Sequence, residues 1–184
     1  SAGFRVPANT PLAVQPIDSE GQALQVMRSW FTAMPGETLS CVGCHEQRTQ
    51  APHARPSSAL SALSRPAVRP QPFEGIPEVI DFPRDVQPIL DRHCVECHNA
   101  DRREGEVDLS GDRTPVYSRS YWTIVLRQLI SDGRNGAGNR PPRAIGSAAS
   151  PLLRYLSGSH YDVRLTAHER LTVLLWIESG AVYA

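Results

Sequence analysis

The sequence predicts a mainly α-helical protein with long loops, its compact helical unit preceded by a smaller segment with short strands. Three observations predict this. Apolar residues recur at three- and four-residue spacing through most of the second half. Pro52, Pro56, Pro66, Pro70, Pro72 and Pro77 break up a Ser-, Ala- and Arg-rich run, which reads as a linker. One Cys-x-x-Cys-His motif stands on each side of that run. The expected organisation is therefore an N-terminal segment over 1–50, a linker over 51–77 and a helical unit over 78–184.

Taken in order, residues 4–20 ("FRVPANTPLAVQPIDSE") are Pro-interrupted, with short strand-like pieces and no helical period. In "GQALQVMRSWFTAM", Ala23, Val26, Met27, Trp30, Phe31 and Met34 fall on one helical face, so an amphipathic helix is expected there. Val86, Ile89, Leu90 and Cys94 share a face in "FPRDVQPILDRHCVECH", which makes the second motif the end of a helix. Trp122, Val125, Leu126, Leu129 and Ile130 are in register in "SYWTIVLRQLISDG". "SPLLRYLSG" reads as a short helix with Ser150 as N-cap, Pro151 first inside and Gly158 past the end. The last helix opens on a capping box, Thr166 with Glu169, and stops at Gly180.

Composition narrows the function classes. Charge balances at 19 basic and 19 acidic residues, with every basic residue Arg. That balance argues against nucleic acid or an anionic membrane as partner. No apolar run reaches the ~20 residues that span a bilayer, so no transmembrane segment is expected. The opening "SAGFRVPANTP" has neither the basic start nor the apolar core of an export leader.

Chemistry enters with the cysteines. All four are used by "CVGCH" (Cys41, Cys44, His45) and "CVECH" (Cys94, Cys97, His98). Two thiols one turn apart reach the two vinyl groups of a haem, and the next residue aims its imidazole at the iron. The expected cofactors are two covalently bound haems c, with His45 and His98 as proximal ligands. Such attachment takes place outside the cytoplasm, so a periplasmic or otherwise exported location is expected. Motif-bearing helix, loop-rich middle and closing helix are the order of a small class I-like cytochrome c. Residues 78–184 are accordingly expected to form a cytochrome c-like unit behind a smaller haem-bearing segment.

The sixth ligands are less directly written. Small cytochromes c of this plan place a Met, often followed by Pro-Pro, in the loop before the last helix; here the turn is "NRPPRA", with Arg140 in that position. Met27 and Met34 lie upstream and read as packing residues. His160, on the loop just ahead of the last helix, is the candidate distal ligand. His53, eight residues past His45, is a weaker one. His93 directly precedes Cys94 and cannot cross its own haem; it could reach a neighbouring one. His168 reads as a solvated residue of the last helix. Two irons with one good distal candidate leave one sixth position unassigned.

The stretches "VPANTPLAVQPIDSEGQALQVMRSW", "PGETLSCVGCHE", "FPRDVQPILDRHCVECHN", "GEVDLSGD" and "PPRAIGSAASPLLRYLSGSHYDVRLT…LLWIESGA" together resemble the dihaem C-terminal region of the hydrazine synthase α-subunit family and related planctomycete-type cytochromes c. The resemblance implies a catalytic haem on Cys41 and Cys44 and a relay haem on Cys94 and Cys97. It also implies a Tyr on the catalytic iron shortly after the first motif, with the motif His diverted to zinc. No Tyr occurs between Cys44 and Tyr117, so His45 is expected to bind iron in the ordinary way. The leading expectation is an electron-relaying dihaem domain of a larger exported protein, its partners being a redox protein or other domains of the parent chain. The alternative is an enzyme domain whose first haem has an open sixth site for a small nitrogen or oxygen species. No catalytic residue is singled out. A ligand-switched docking domain is a third reading that no residue favours.

Overall fold

The computed structural model describes residues 2–27, 29–41, 64–131 and 140–183. Its contacts group into two compact units: residues 1–14 with 27–73, and residues 15–26 with 74–184. No helix among the described residues is long and apolar enough to cross a membrane.

The first unit is built from single bridges. Leu12 and Phe31 pair antiparallel and exchange both N–H···O bonds at 2.9 Å, and the Asn9 N–H reaches the Ala33 carbonyl at 2.8 Å. Phe4 pairs parallel with Val68. No strand longer than a bridge occurs among the described residues, so the short strands expected here are reduced to contacts one residue wide. The amphipathic helix expected from Ala23 to Met34 is absent as well. Its Phe31 and Ala33 backbone groups bond to Leu12 and Asn9, and Ala23 pairs with Ile17. Distant partners have outcompeted the local helical bond, a familiar override of propensity by tertiary context. Met34 is consequently exposed, and the Met27 sulfur accepts the Val14 N–H at 3.4 Å.

In the second unit a π-helical turn, Phe82–Val86, runs into α1 (Gln87–His93). Asp81 starts it by accepting the Arg84 N–H at 2.8 Å, while Asp85 accepts the Asp81 N–H at 2.7 Å. Pro88 has no N–H to return to Arg84; just ahead of it the helix widens, and the Gln87 N–H reaches back to the Phe82 carbonyl. Helix α2 (Arg119–Leu126) is capped by the Ser118 hydroxyl, which accepts the Tyr121 N–H. Helix α3 is the short Pro151–Tyr155. Ser150 occupies its N-cap position without capping: its hydroxyl donates to the Gly146 carbonyl and accepts the Ser131 N–H. Helix α4 (Ala167–Glu178) has the expected capping box. It ends with Ala181 N–H on the Trp176 carbonyl and Gly180 N–H on that of Ile177, the Schellman pattern.

The core of this unit joins Phe82, Val86, Ile89, Leu90, Ile124, Leu152, Val173 and Trp176. Phe82 is fully buried, its ring centre 5.1 Å from Trp176 and 5.2 Å from Tyr121. Beside this apolar centre, buried Gln87 donates to Asp91 at 2.7 Å and to the Leu109 carbonyl at 3.0 Å, and accepts from the Ser120 hydroxyl. That satisfied polar hub fixes α1 against α2 and the 108–112 loop. It thereby holds the end of α1, where the second motif begins.

Candidate metal centre

Helix α1 delivers Cys94 at its C-terminus, and the chain then folds tightly: the Cys97 and His98 N–H groups both reach the Cys94 carbonyl, at 3.2 and 3.0 Å. Burial first, and the neighbouring Cys97 second, push the Cys94 thiol up to about 11. The position therefore suits a neutral sulfur, as a free thiol or as a thioether.

His98 is oriented by backbone. Its Nδ1 lies 2.9 Å from the Glu104 carbonyl; a carbonyl can only accept, so Nδ1 donates and Nε2 is the ring nitrogen left to face a metal. The acceptor is held in an unusual loop, with Arg103 at φ 39°, Gly105 at 63° and Glu106 at 59°. Two non-glycine residues in the left-handed region mark stored strain of the kind found at functional sites.

His160 reaches the site on a tight hairpin closed by the Ser157–Arg164 bridge. Gly158 turns the chain at φ 90°, and Tyr161 and Asp162, directly after His160, are left-handed at 48° and 57°. The Ser157 and Ser159 hydroxyls both donate to the Arg154 carbonyl at 2.7 Å, and the Val163 N–H returns to the His160 carbonyl at 3.0 Å. The His160 ring lies near-parallel to that of His98, 17° between planes and 5.9 Å between centres. The contact is a stacked one; two imidazoles that meet one metal end-on at metal–nitrogen bonds of about 2.0 Å each have ring centres roughly 6 Å apart, so the spacing alone is that of an axial pair. Tyr155 and Tyr161 meet the His160 ring edge-on at 5.3 and 4.9 Å.

This donor set fits a porphyrin-held iron. Among the described residues no group of three or more His, Cys, Asp and Glu side chains could cage a metal. A closed tetrahedral zinc site needs four such ligands, whereas a haem iron needs one or two axial ones. His98 and His160 could supply both.

The remaining expected residues fall as follows. Cys41 is exposed; Cys44, His45 and His53 lie outside the described residues. His93 Nε2 lies 3.2 Å from Glu169 Oε1. His168 is exposed, beside Gly75. Arg140 is exposed too, its carbonyl accepting from Gln25 at 3.1 Å. Sequence reasoning missed the Glu104 carbonyl and the second role of Glu169. The latter is nine-tenths buried and accepts Arg92 Nη2 at 2.8 Å and Nε at 3.1 Å while capping α4.

Comparison with known proteins adds to this geometry. Residues 1–46 match a family model described as the hydrazine synthase alpha subunit middle domain, a stretch that includes the first motif. The curated hydrazine synthase subunit alpha of Kuenenia stuttgartiensis is 31% identical over 135 aligned positions. This chain is similar to a hydrazine synthase α-subunit. The alignment covers 60% of the chain but only 17% of that subunit, so the chain spans about a sixth of its relative's length. The solved structure of Kuenenia stuttgartiensis hydrazine synthase superposes with a TM-score of 0.57 at 22% identity, covering 95% of this chain and 30% of that one. At that identity the likeness to the hydrazine synthase structure is one of fold.

Proposed function

We propose that this chain is a dihaem c-type cytochrome region of a larger exported protein, and that it relays electrons between its two haems. The observation that carries the reading is the His98–His160 pair, 5.9 Å apart and near-parallel, beside Cys94 and Cys97. His98 and His160 would hold the second iron from both faces, in a cytochrome c-like helical unit. A haem bound there supplies a one-electron iron couple. The protein's part is to keep both imidazoles fixed through that change. The Glu104 carbonyl orients His98, and the closed hairpin with its two flanking tyrosines orients His160. Neither side chain has to move when the electron arrives. His/His ligation also sets a lower potential than His/Met would.

A second reading rests on a separate observation, the match of residues 1–46 to the hydrazine synthase middle domain. In it the first haem, on Cys41, Cys44 and His45, keeps an exchangeable sixth position and acts on a small nitrogen or oxygen species, with the second haem as its relay.

One experiment separates these readings. A pyridine haemochrome assay on the purified chain should give two haems, and electron paramagnetic resonance should show a bis-imidazole low-spin signal that His160→Ala abolishes. Stoichiometric cyanide should leave the second haem of the wild type untouched, because displacing His160 needs excess cyanide; one equivalent bound by the first haem supports the enzymatic reading, and none bound supports pure relay. Fewer than two haems per chain, or a low-spin signal of the same intensity in His160→Ala as in the wild type, would overturn the assignment.

A further inference from the structure

Glu169 joins the two chain segments that carry the axial histidines. Its Oε2 accepts the Thr166 N–H at 2.9 Å and the Thr166 hydroxyl at 3.0 Å, where the chain leaves the His160 hairpin. Its Oε1 takes Arg92 Nη2 at 2.8 Å and His93 Nε2 at 3.2 Å, at the end of α1 next to Cys94. One oxygen thus faces the exit of the distal hairpin and the other the entry to the proximal motif. The carboxylate is nine-tenths buried, where bonds to charged donors are strong and their loss is felt.

Capping α4 needs only Thr166 and the Glu169 side chain. Drawing in Arg92 and His93 from another helix goes beyond that need. The hairpin itself has a reason to open, because Tyr161 and Asp162 are both left-handed without being glycine. Such residues persist only where the surroundings over-determine them. A tether at the hairpin's C-terminal end, anchored on the motif helix, supplies part of that restraint.

We propose that Glu169 is a positioning residue for the axial pair, setting how firmly His160 stays on the iron opposite His98. This rests on the bis-histidine reading above. Loosening the tether frees the hairpin, and an exogenous ligand then competes more readily for the sixth position.

The test uses the full haem-loaded chain as wild type, Glu169→Gln, and the double variant Arg92→Gln/His93→Asn, which leaves the α4 cap intact should Glu169→Gln fold poorly. Cyanide should displace His160 about tenfold faster in both variants. Amide hydrogen exchange across 157–164 should quicken with it. In a His160→Ala background Glu169→Gln should change the cyanide rate no further, because the effect runs through His160. A lowered Tm with unchanged cyanide rate and unchanged exchange would show a merely structural carboxylate and overturn the proposal. A wild type without the bis-imidazole signal would instead overturn the ligand reading. Exchange across 157–164 then still decides the tether, and an unchanged rate in both variants refutes it.

Discussion

Glu169 shows how one side chain can be half legible. "TAHE" announces a capping box because Thr and Glu three apart at a helix start satisfy each other locally. Nothing in those four residues announces Arg92 and His93, which arrive through folding. The same division separates the residues of the proposed haem site: Cys94, Cys97 and His98 are expected from their spacing along the chain, and His160 from its place ahead of the last helix. The Glu104 carbonyl depends on a backbone conformation that Arg103 and Glu106 do not favour, so no residue type signals it. The Glu169 environment has a consequence in acid. Burial alone would raise its carboxyl, but the Thr166 amide, then the Arg92 guanidinium, the Thr166 hydroxyl and the His93 ring together hold its pKa at about 2, below the ordinary 4.5. A carboxyl depressed on folding stabilises above its unfolded pKa and loses that stabilisation as pH falls through the folded one. The window is thus pH 4.5 down to about 2. Since Arg92 is 57% exposed and screened by water, the loss should be about 1–2 kcal/mol. Urea midpoints between pH 6 and 3 should fall more steeply for the wild type than for Glu169→Gln; parallel curves would refute this.

Among the elements, α1 and α4 were readable from their apolar period, whereas α2 was expected to run on through Leu129 and Ile130 but ends at Leu126, which is exposed, and buries Ser120 and Ile124 instead. The stretch from Ala23 to Met34 had the period without a distinct cap, and pairing with Leu12 and Asn9 decided its conformation instead. Helix α4 also ends on a feature that propensity would not choose. Glu178 sits in its last turn, where the helix dipole disfavours an acid. It is retained by donors from elsewhere: the Ala23 and Ser147 N–H groups at 3.0 Å each, and the Ser147 hydroxyl. Gly146 makes this approach possible. Its φ of 70° and ψ of −154° lie in a region open essentially to glycine, and a Cβ there would come within 2.7 Å of Glu178 Oε2. Gly146→Ala should therefore lower stability by roughly 2–3 kcal/mol from strain and displaced carboxylate together. Chemical denaturation measures it, and a loss below about 0.5 kcal/mol would mean that the turn re-forms without strain.

At the scale of the whole molecule, the C-terminal unit is not continuous in sequence. Residues 15–26 group with 74–184, and they are held there by specific bonds. The Gln15 side chain donates to the Glu178 carbonyl at 3.0 Å, the Arg143 N–H reaches the Leu24 carbonyl at 2.9 Å, and the Arg143 guanidinium pairs with Asp18. Ala23 is buried to 1%. No periodicity in residues 15–26 signals this, because a short hairpin contributes backbone donors more than an apolar face. A fragment spanning 74–184 keeps His98, His160 and the second motif but strips Glu178 of the Ala23 N–H. It should fold with the same bis-imidazole signal yet melt about 5–10 °C below the chain spanning 15–184, the shift that a loss of roughly 1–2 kcal/mol gives a domain of this size. Glu178→Gln, which removes the under-bonded charge, should narrow that gap in the fragment while destabilising the longer chain. Equal melting temperatures would show that residues 15–26 lie on the unit without stabilising it, and the C-terminal unit would then stand on residues 74–184 alone.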